Sequence, residues 1–553
     1  MVKNMLSRIG VLLCTCSRKL EFVEFNRVLN YLNDCEGVQA VQVYHELCKQ
    51  PSVVHKLIRS ERLEGLVVGA CSLYESLFKD ESEDGGLNPL LLEVVSLKEQ
   101  LAGSYADREK AMLKAALLVR GAVEKMKYME AAKQMPPQTI LTNKQVTRRA
   151  LFRSVFRLLK VYKPIPLVDT SLCTNPKSCK FCINACSYGA LTVGEEGIVV
   201  DRERCTLCGS CAANCPFEAI QIPTHTSGQL EAQMKGILSD MEAKLDRRVI
   251  VFACEESGYP AINTASDSGA KVPLEAFVIR VPSLGVLSEL TLLTAFALGA
   301  DGVLLCGCLY NDCPHSNGLL SAKQKLALVK SLLSSFKIDP SRMSLFQARR
   351  DESSKIIDYL TKFVEKIKSM DPNPLRLTFT GNNKRAKFIS LIKALAEKTG
   401  SVPEIVEWAG QCPFAEITVQ ENCIACELCS SLCPTKAIEV HKDENSVFLS
   451  FKYRDCMGCG LCESTCPEKA VSLKRVFDVG RLLEDVPKTL LMQGFIACSN
   501  CGKPFTTINK LKKIRDIQRQ SGITPEPSTL ILCPACRRNY VLSIMYPTKE
   551  VRR

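Results

Sequence analysis

Two runs of cysteine near the carboxy-terminal end carry the clearest chemistry in this sequence: Cys423-x2-Cys426-x2-Cys429-x3-Cys433-Pro434 and Cys456-x2-Cys459-x2-Cys462-x3-Cys466-Pro467. Three thiolates on one tight loop can face one side of a four-iron cube, while a fourth, carried onto the next short helix, reaches a second cube. The spacing therefore assigns Cys423, Cys426, Cys429 and Cys466 to one [4Fe-4S] cluster, and Cys456, Cys459, Cys462 and Cys433 to another. Zinc ribbons use two CxxC pairs rather than repeated triplets. A second copy lies at 173–215. Its downstream half, Cys205, Cys208, Cys211 and Cys215 before Pro216, is regular; its upstream half is Cys173-x5-Cys179-x2-Cys182-x3-Cys186, with Ser187 where proline is usual. The same crossing gives Cys173, Cys179, Cys182 and Cys215 for one cluster and Cys205, Cys208, Cys211 and Cys186 for the other. Four [4Fe-4S] clusters are expected.

These doubled runs resemble two-cluster bacterial ferredoxins, which places each on a small α+β module, with short strands at Ala437–Val440 and Val447–Phe451 between the carboxy-terminal pair. A third pattern, Cys498-x2-Cys501 with Cys533-x2-Cys536, has four-thiolate zinc spacing and predicts a zinc-ribbon-like tail with a basic helix over Asn509–Gln520, the alternative being an extra iron cluster or a rubredoxin-like iron on the same thiols.

The remaining cysteines need α/β domains to position them. Residues 8–15, Val38–Tyr44 and Leu66–Ala70 are apolar runs of strand length, 21–34 is an amphipathic helix and 107–133 a long one. Cys14, Cys16, Cys48 and Cys71 follow or end those strands, where the termini of a parallel sheet gather along one edge. "RIGVLLCTC", "YHELCKQPS", "LEGLVVGACSLYESLF" and "GLNPLLLEVVSLKEQLA" resemble the amino-terminal domain of the A-type subunit of heterodisulfide reductase over residues 8–135. The resemblance implies a fifth, non-standard [4Fe-4S] cluster on those four cysteines. In that family a flavin domain follows. Here "VTRRALFRSVFRLLKVYKPIPLVDTSLC" leads into the first ferredoxin run, and no GxGxxG is present, so no flavin is expected on this chain and a two-electron step would sit on a flavin-bearing partner.

From 249 to 369 strand-like runs (RVIVFAC, FVIRVP, ADGVLLCGC, MSLFQAR) alternate with helical ones (285–298, 318–336, 352–369). "VIVFAC", "GADGVLLCGCLYNDC" and "SNGLLSAKQKL" resemble the delta subunit of methyl-viologen-reducing hydrogenase, which implies a [2Fe-2S] cluster and a hydrogenase or dehydrogenase partner. The set is depleted: Ser257 and Pro282-Ser283 stand where that family has cysteine. Cys254, Cys308 and Cys313 match, and Cys306 is a further candidate. His315 is the one histidine beside a candidate ligand. Cys35 and Cys412 read as packing residues.

The fold class expected is multidomain α/β plus α+β: α/β domains at 1–145 and 230–370, two two-cluster ferredoxin modules at 165–225 and 412–478, a linker at 371–411 and a zinc-binding tail at 485–553. The basic run Lys384–Lys387 reads as a solvated loop between modules, or else a docking face, and the linker carries one helix over Ala386–Lys398. Of 553 residues, 46% are hydrophobic and 24% charged, which excludes disorder. The apolar stretch Val281–Cys308 is broken by Glu289 and Asp301, so no transmembrane segment is expected, and no signal-peptide core is legible; the chain reads as cytoplasmic. The net charge of +13 suggests nucleic acid until the cofactors are counted. At about −2 for each of four clusters and one zinc, it falls to roughly +3. No nucleic-acid partner is expected. The function expected is an iron-sulfur electron-transfer subunit of an anaerobic heterodisulfide-reductase-like complex, relaying electrons between a hydrogenase or dehydrogenase and heterodisulfide-reductase-like subunits. The alternative is a reductase acting on a disulfide or thioester at its own exposed cluster.

Overall fold

The computed structural model describes all residues except 1–4, 17–18, 34, 134–138, 142–159, 163, 174–175, 177–178, 240–244, 382, 404, 407–411, 523–526 and 546–553. The chain divides into two compact units: Met1–Pro176 with Lys180–Ser401, and Lys177–Cys179 with Val402–Arg553.

The first unit contains two α/β domains built to one plan. In the first, β1 (Ile9–Cys14), β2 (Val38–Tyr44), β3 (Gly65–Ala70) and β4 (Leu92–Ser96) form a parallel sheet in the order β2-β1-β3-β4. In the second, β5 (Val249–Cys254), β6 (Ala276–Val281), β7 (Gly302–Gly307) and β8 (Met343–Gln347) repeat it as β6-β5-β7-β8, again parallel. The central strands of both are apolar throughout and fully buried, as strands covered on both faces must be.

Helix α1 (Arg108–Lys127) lies under the first sheet and packs along α2 (Ser227–Leu238), which follows the first ferredoxin module. Their crossing has no room for side chains. A Cβ on Gly236 would meet the Gly121 Cα at 2.7 Å, and one on Gly121 would meet the Gln233 carbonyl oxygen at 2.9 Å. A capping box of Thr226 and Gln229 starts α2, and Gln229 also donates to the Tyr128 carbonyl. The two domains are further tied by Gln100, whose side chain bonds both backbone groups of Val278 on the edge strand β6, and by Lys98 with Asp267. Gln100 thereby covers an edge that would otherwise be open to pairing. Helices α3 (Gly258–Asp267), α4 (Glu289–Ala297) and α5 (Ser316–Ser335) flank the second sheet.

The stretch expected as a linker at 371–411 is packed structure as far as Ser401. Asn373 is buried and donates to the Phe296 and Ala300 carbonyls, and Leu377 N–H donates to Ala297. Helix α6 (Lys384–Thr399) starts on an Asn383 cap and ends on Gly400 in the left-handed region. Lys384, expected in solvent, is buried, pairs with Glu289 at 2.9 Å and donates to the Ala213 carbonyl; Lys387 pairs with Glu231 at 2.8 Å. Proline and glycine here mark a close-fitting turn segment rather than a free one.

In the second unit, β9 (Ile438–Lys442) and β10 (Ser446–Phe451) form the hairpin between the two cysteine runs. The tail does not stand apart from it. Strand β11 (Lys488–Ala497) pairs antiparallel with β10, and β12 (Pro504–Thr507) with β11, so ferredoxin hairpin and tail share one sheet. Among the described residues no helix is long and apolar enough to cross a membrane.

Candidate iron-sulfur and zinc centres

The cysteine loops of the ferredoxin modules share a backbone signature. Residues before and after the second cysteine of a triplet are left-handed: Leu207 and Gly209, Ala425 and Glu427, Gly458 and Gly460. So is the residue three past the fourth cysteine in all four motifs: Gly189, Glu218, Lys436 and Lys469. Several of these are not glycine, at a cost of about 1 kcal/mol each. That conformation turns amide N–H groups inward, and Ala425 and Gly458 donate to the Cys423 and Cys456 sulfurs at 3.4 Å, as Ala470 does to Cys466 at 3.3 Å. The irregular upstream motif thus keeps its last turn, with Gly189 making it after Ser187.

Two of the crossed fourth cysteines, Cys186 and Cys433, each line a space with the other triplet of their module. Cys186 lines one space of about 350 Å³ with Cys205, Cys208 and Cys211. Cys433 lines another, of about 310 Å³, with Cys456, Cys459 and Cys462. Each space is walled by apolar groups, and burial pushes Cys211 up and Cys462 up to about 12. Thiols held neutral so strongly in so dry a space fit ligands whose charge a metal offsets. Cys423 is likewise raised by burial and feels Cys426 and Cys466; burial pushes Cys429 up to about 11, and Cys423 and Cys426 add to it. Of the remaining set, Cys173, Cys182 and Cys215 pack with Leu191 and Ile220 in one cluster that also takes in Cys186 and Cys211; Cys179 is not grouped with them.

In the first α/β domain the sheet edge gathers the expected thiols. The Cys14 sulfur accepts from the N–H of Cys16 at 3.3 Å and of Leu47 at 3.4 Å. Cys16, itself left-handed, hydrogen-bonds through its thiol to both Cys14 and Cys71. These bonds lower Cys14 to about 6 and hold Cys16 far above its ordinary value. Cys48, raised chiefly by burial, sits within electrostatic reach of Cys71 and Cys14. Four thiols around backbone donors fit a cluster.

The second α/β domain gathers three of its four candidates. Cys254 and Cys308 sulfurs are 3.7 Å apart, Cys308 also bonds Cys313, and these three line one cavity with Glu256, Ser283 and His315. The Cys308 bond lowers Cys254 to about 6. Cys306 does not join them. Inside β7 it points into the core between the sheet and the helix over Ser353–Ser369, with Val251, Ala253 and Leu360, and burial pushes it up. Ser257, in a position where the resembled family has cysteine, donates to the Ala348 carbonyl.

In the tail the four thiols Cys498, Cys501, Cys533 and Cys536 lie within 4.8 Å of one another, the only such group among the described residues. Cys501 and Cys533 are 3.8 Å apart, close to the edge of a tetrahedron with ~2.3 Å metal–sulfur bonds. The tail also holds the first cluster loop: Gln493 donates to the Cys423 carbonyl at 2.7 Å, and Asn509, on α7 (Ile508–Gln520), to the Glu421 and Cys423 carbonyls at 2.6 and 3.1 Å.

Two of these sites are near neighbours within the first unit. The loop Cys208–Ser210 packs directly on the turn Leu284–Val286 beside the second domain's thiol cavity. Tyr188 stands between them: its hydroxyl donates to the Pro314 carbonyl, and burial, with the Cys208, Cys313 and Cys186 thiols adding to it, raises its pKa.

Residues 249–371 match the family described as methyl-viologen-reducing hydrogenase, delta subunit; residues 422–470 match the 4Fe-4S dicluster domain and 198–221 the 4Fe-4S binding domain. The D-type iron-sulfur subunit of the F420-non-reducing hydrogenase vhu of Methanocaldococcus jannaschii is 28% identical over 132 residues, which is 24% of this chain and 98% of that protein. The A-type iron-sulfur subunit of the CoB–CoM heterodisulfide reductase of the same organism is 27% identical over 262 residues, 38% of this chain and 39% of that protein. The A-type subunit of the ferredoxin:CoB–CoM heterodisulfide reductase of Methanosarcina mazei is 27% identical over 205 residues, 37% of this chain and 25% of that protein. The chain thus spans well under half the length of these two reductase subunits. It is homologous to the A-type subunit of heterodisulfide reductase and to the D-type iron-sulfur subunit of hydrogenase, and carries 4Fe-4S ferredoxin domains.

Proposed function

We propose that this chain is a multi-cluster electron carrier joining a hydrogenase or dehydrogenase to heterodisulfide-reductase-like subunits. The observation that carries the reading is the proximity of the ferredoxin loop Cys208–Ser210 to the thiol cavity of the hydrogenase-delta-like domain inside one compact unit. Proteins homologous to separate subunits are here parts of one chain, and buried contacts such as Gln100–Val278 and Gly121–Gly236 fix their spacing. Bound iron-sulfur clusters supply one-electron carriers. Cys205, Cys208, Cys211 and Cys186 would hold one, and Cys456, Cys459, Cys462 and Cys433 another, each set lining one space; by the spacing, Cys423, Cys426, Cys429 and Cys466 would hold a third, and Cys173, Cys179, Cys182 and Cys215 a fourth. Cys14, Cys16, Cys48 and Cys71 would hold a fifth [4Fe-4S] group, and Cys254, Cys308 and Cys313 part of a [2Fe-2S] group. Cys498, Cys501, Cys533 and Cys536 would hold zinc, which has no redox role and would stiffen the tail against the Cys423 loop.

Anaerobic reductive titration of the purified chain tests this. Five or six one-electron equivalents per chain are expected, at about one per cluster. Fewer than four, or catalytic turnover of a disulfide by the chain alone, would overturn the carrier reading.

A further inference from the structure

Toward their carboxy ends the strands of the two α/β domains pair in the same register, and the correspondence locates a missing ligand of the second. Ile9 pairs with Gly65 as Val249 pairs with Gly302, so Cys14, closing β1, corresponds to Cys254, closing β5, and Cys71 to Cys308. Thr15 N–H donates to the Tyr44 carbonyl as Glu255 N–H does to Val281, both at 2.9 Å. The turn Leu47–Lys49 therefore corresponds to Leu284–Val286, and Cys48 to Gly285. No thiol can sit there. A Cβ on Gly285 would meet the Cys208 carbonyl oxygen at 2.6 Å and the Gly318 Cα at 2.8 Å. The ferredoxin loop occupies the place of the fourth ligand, and Cys306 faces the core instead.

The replacement comes from the other side of the site. The segment after β7 supplies Cys313 and, two residues on at the start of α5, His315, which is buried, lines the same cavity, and whose backbone N–H donates to the Cys313 sulfur at 3.4 Å. Glu256, at the place of Cys16, also lines the cavity but is more exposed, and a carboxylate is a harder ligand than imidazole for iron. We propose that the middle-domain site is a [2Fe-2S] centre held by Cys254, Cys308, Cys313 and the imidazole of His315. This rests on the cluster reading above. Exchanging one thiolate for a neutral imidazole reduces the negative charge of the site and favours its reduced form, which suits a centre that accepts electrons from a partner.

The test uses the full chain, purified anaerobically and reduced, with electron paramagnetic resonance at liquid-nitrogen temperature, where a reduced two-iron centre remains sharp and four-iron centres broaden. A two-iron signal with ¹⁴N hyperfine coupling is expected. His315→Ala should reduce it at least tenfold. His315→Cys should keep the signal without the ¹⁴N coupling and lower the midpoint potential; Cys306→Ala should leave the spectrum unchanged. A wild-type spectrum in His315→Ala, with loss in Cys306→Ala or Glu256→Gln, overturns the ligand assignment and leaves the cluster standing. Absence of any two-iron signal in the wild-type chain overturns both.

Discussion

The two α/β domains share a strand order and the positions of two thiols, and they differ at two others: Glu256 stands at the place of Cys16, and Gly285 at the place of Cys48. After β2 the first domain places Cys48 over its site. After β6 the second places Gly285, against which the ferredoxin loop of Cys208 is seated. The same scaffold therefore presents a site completed from within in one case and a site pressed against a neighbouring cluster loop in the other. What the second domain gives up in ligands it gains in proximity.

The sharpest break of this comparison is made at the paired positions Cys71 and Cys308. Cys71→Ser should remove about four iron per chain and Cys308→Ser about two, both by iron and sulfide analysis. Equal losses would show that the two edges hold the same kind of centre. Next, Gly285→Cys rebuilds the missing thiol where there is no space. It should destabilise the chain by about 1–3 kcal/mol in thermal unfolding and disturb the spectrum of the cluster at Cys208, without improving iron retention. If iron retention improves and stability holds, the ferredoxin loop is not what excludes the fourth thiol.

The buried lysines sharpen the same contrast. Lys114 and Lys325 are both lowered to about 7 by burial. Lys114 donates to the Gln100 and Pro273 carbonyls at 2.9 and 3.0 Å, bridging the domains; the Lys325 Nζ has no hydrogen-bond partner among the described residues. Lys114→Met should cost about 1–3 kcal/mol, since it strands two carbonyls. Lys325→Met should be neutral or stabilising. A base depressed in the folded state opposes folding fully below about pH 7 and ceases to do so as pH approaches its ordinary value, so the gain from Lys325→Met should be greatest at or below pH 7 and fade in alkali. A gain independent of pH between 6 and 10, at roughly those limits, would assign the effect to packing instead.

The ferredoxin ligands were legible because each triplet is a local loop whose spacing alone sets which cube it faces. Strands β1, β5 and β7 were legible as unbroken apolar runs. Cys306 misled because it stands two residues from Cys308, on the same side of the pleat by sequence count, yet Cys306 lies inside the strand under a helix and Cys308 lies just past the strand's end. Helix α2 was not legible: Gly236 weakens its pattern, and the reason for that glycine is Gly121, more than a hundred residues earlier. In the stretch up to Ser401 the helix over Ala386–Lys398 was legible, but its packing was hidden, because the partners of Asn373 and Lys384 come from distant helices. The register shared by the two sheets, and with it the meaning of Gly285, lies in backbone pairing that no residue pattern announces.

The most direct test of the central claim is the content of iron, acid-labile sulfide and zinc per chain after strictly anaerobic purification. The account predicts about 22 iron, matching sulfide and about one zinc. A value near 16 iron would contradict it, leaving clusters only in the ferredoxin modules and both α/β domains without one.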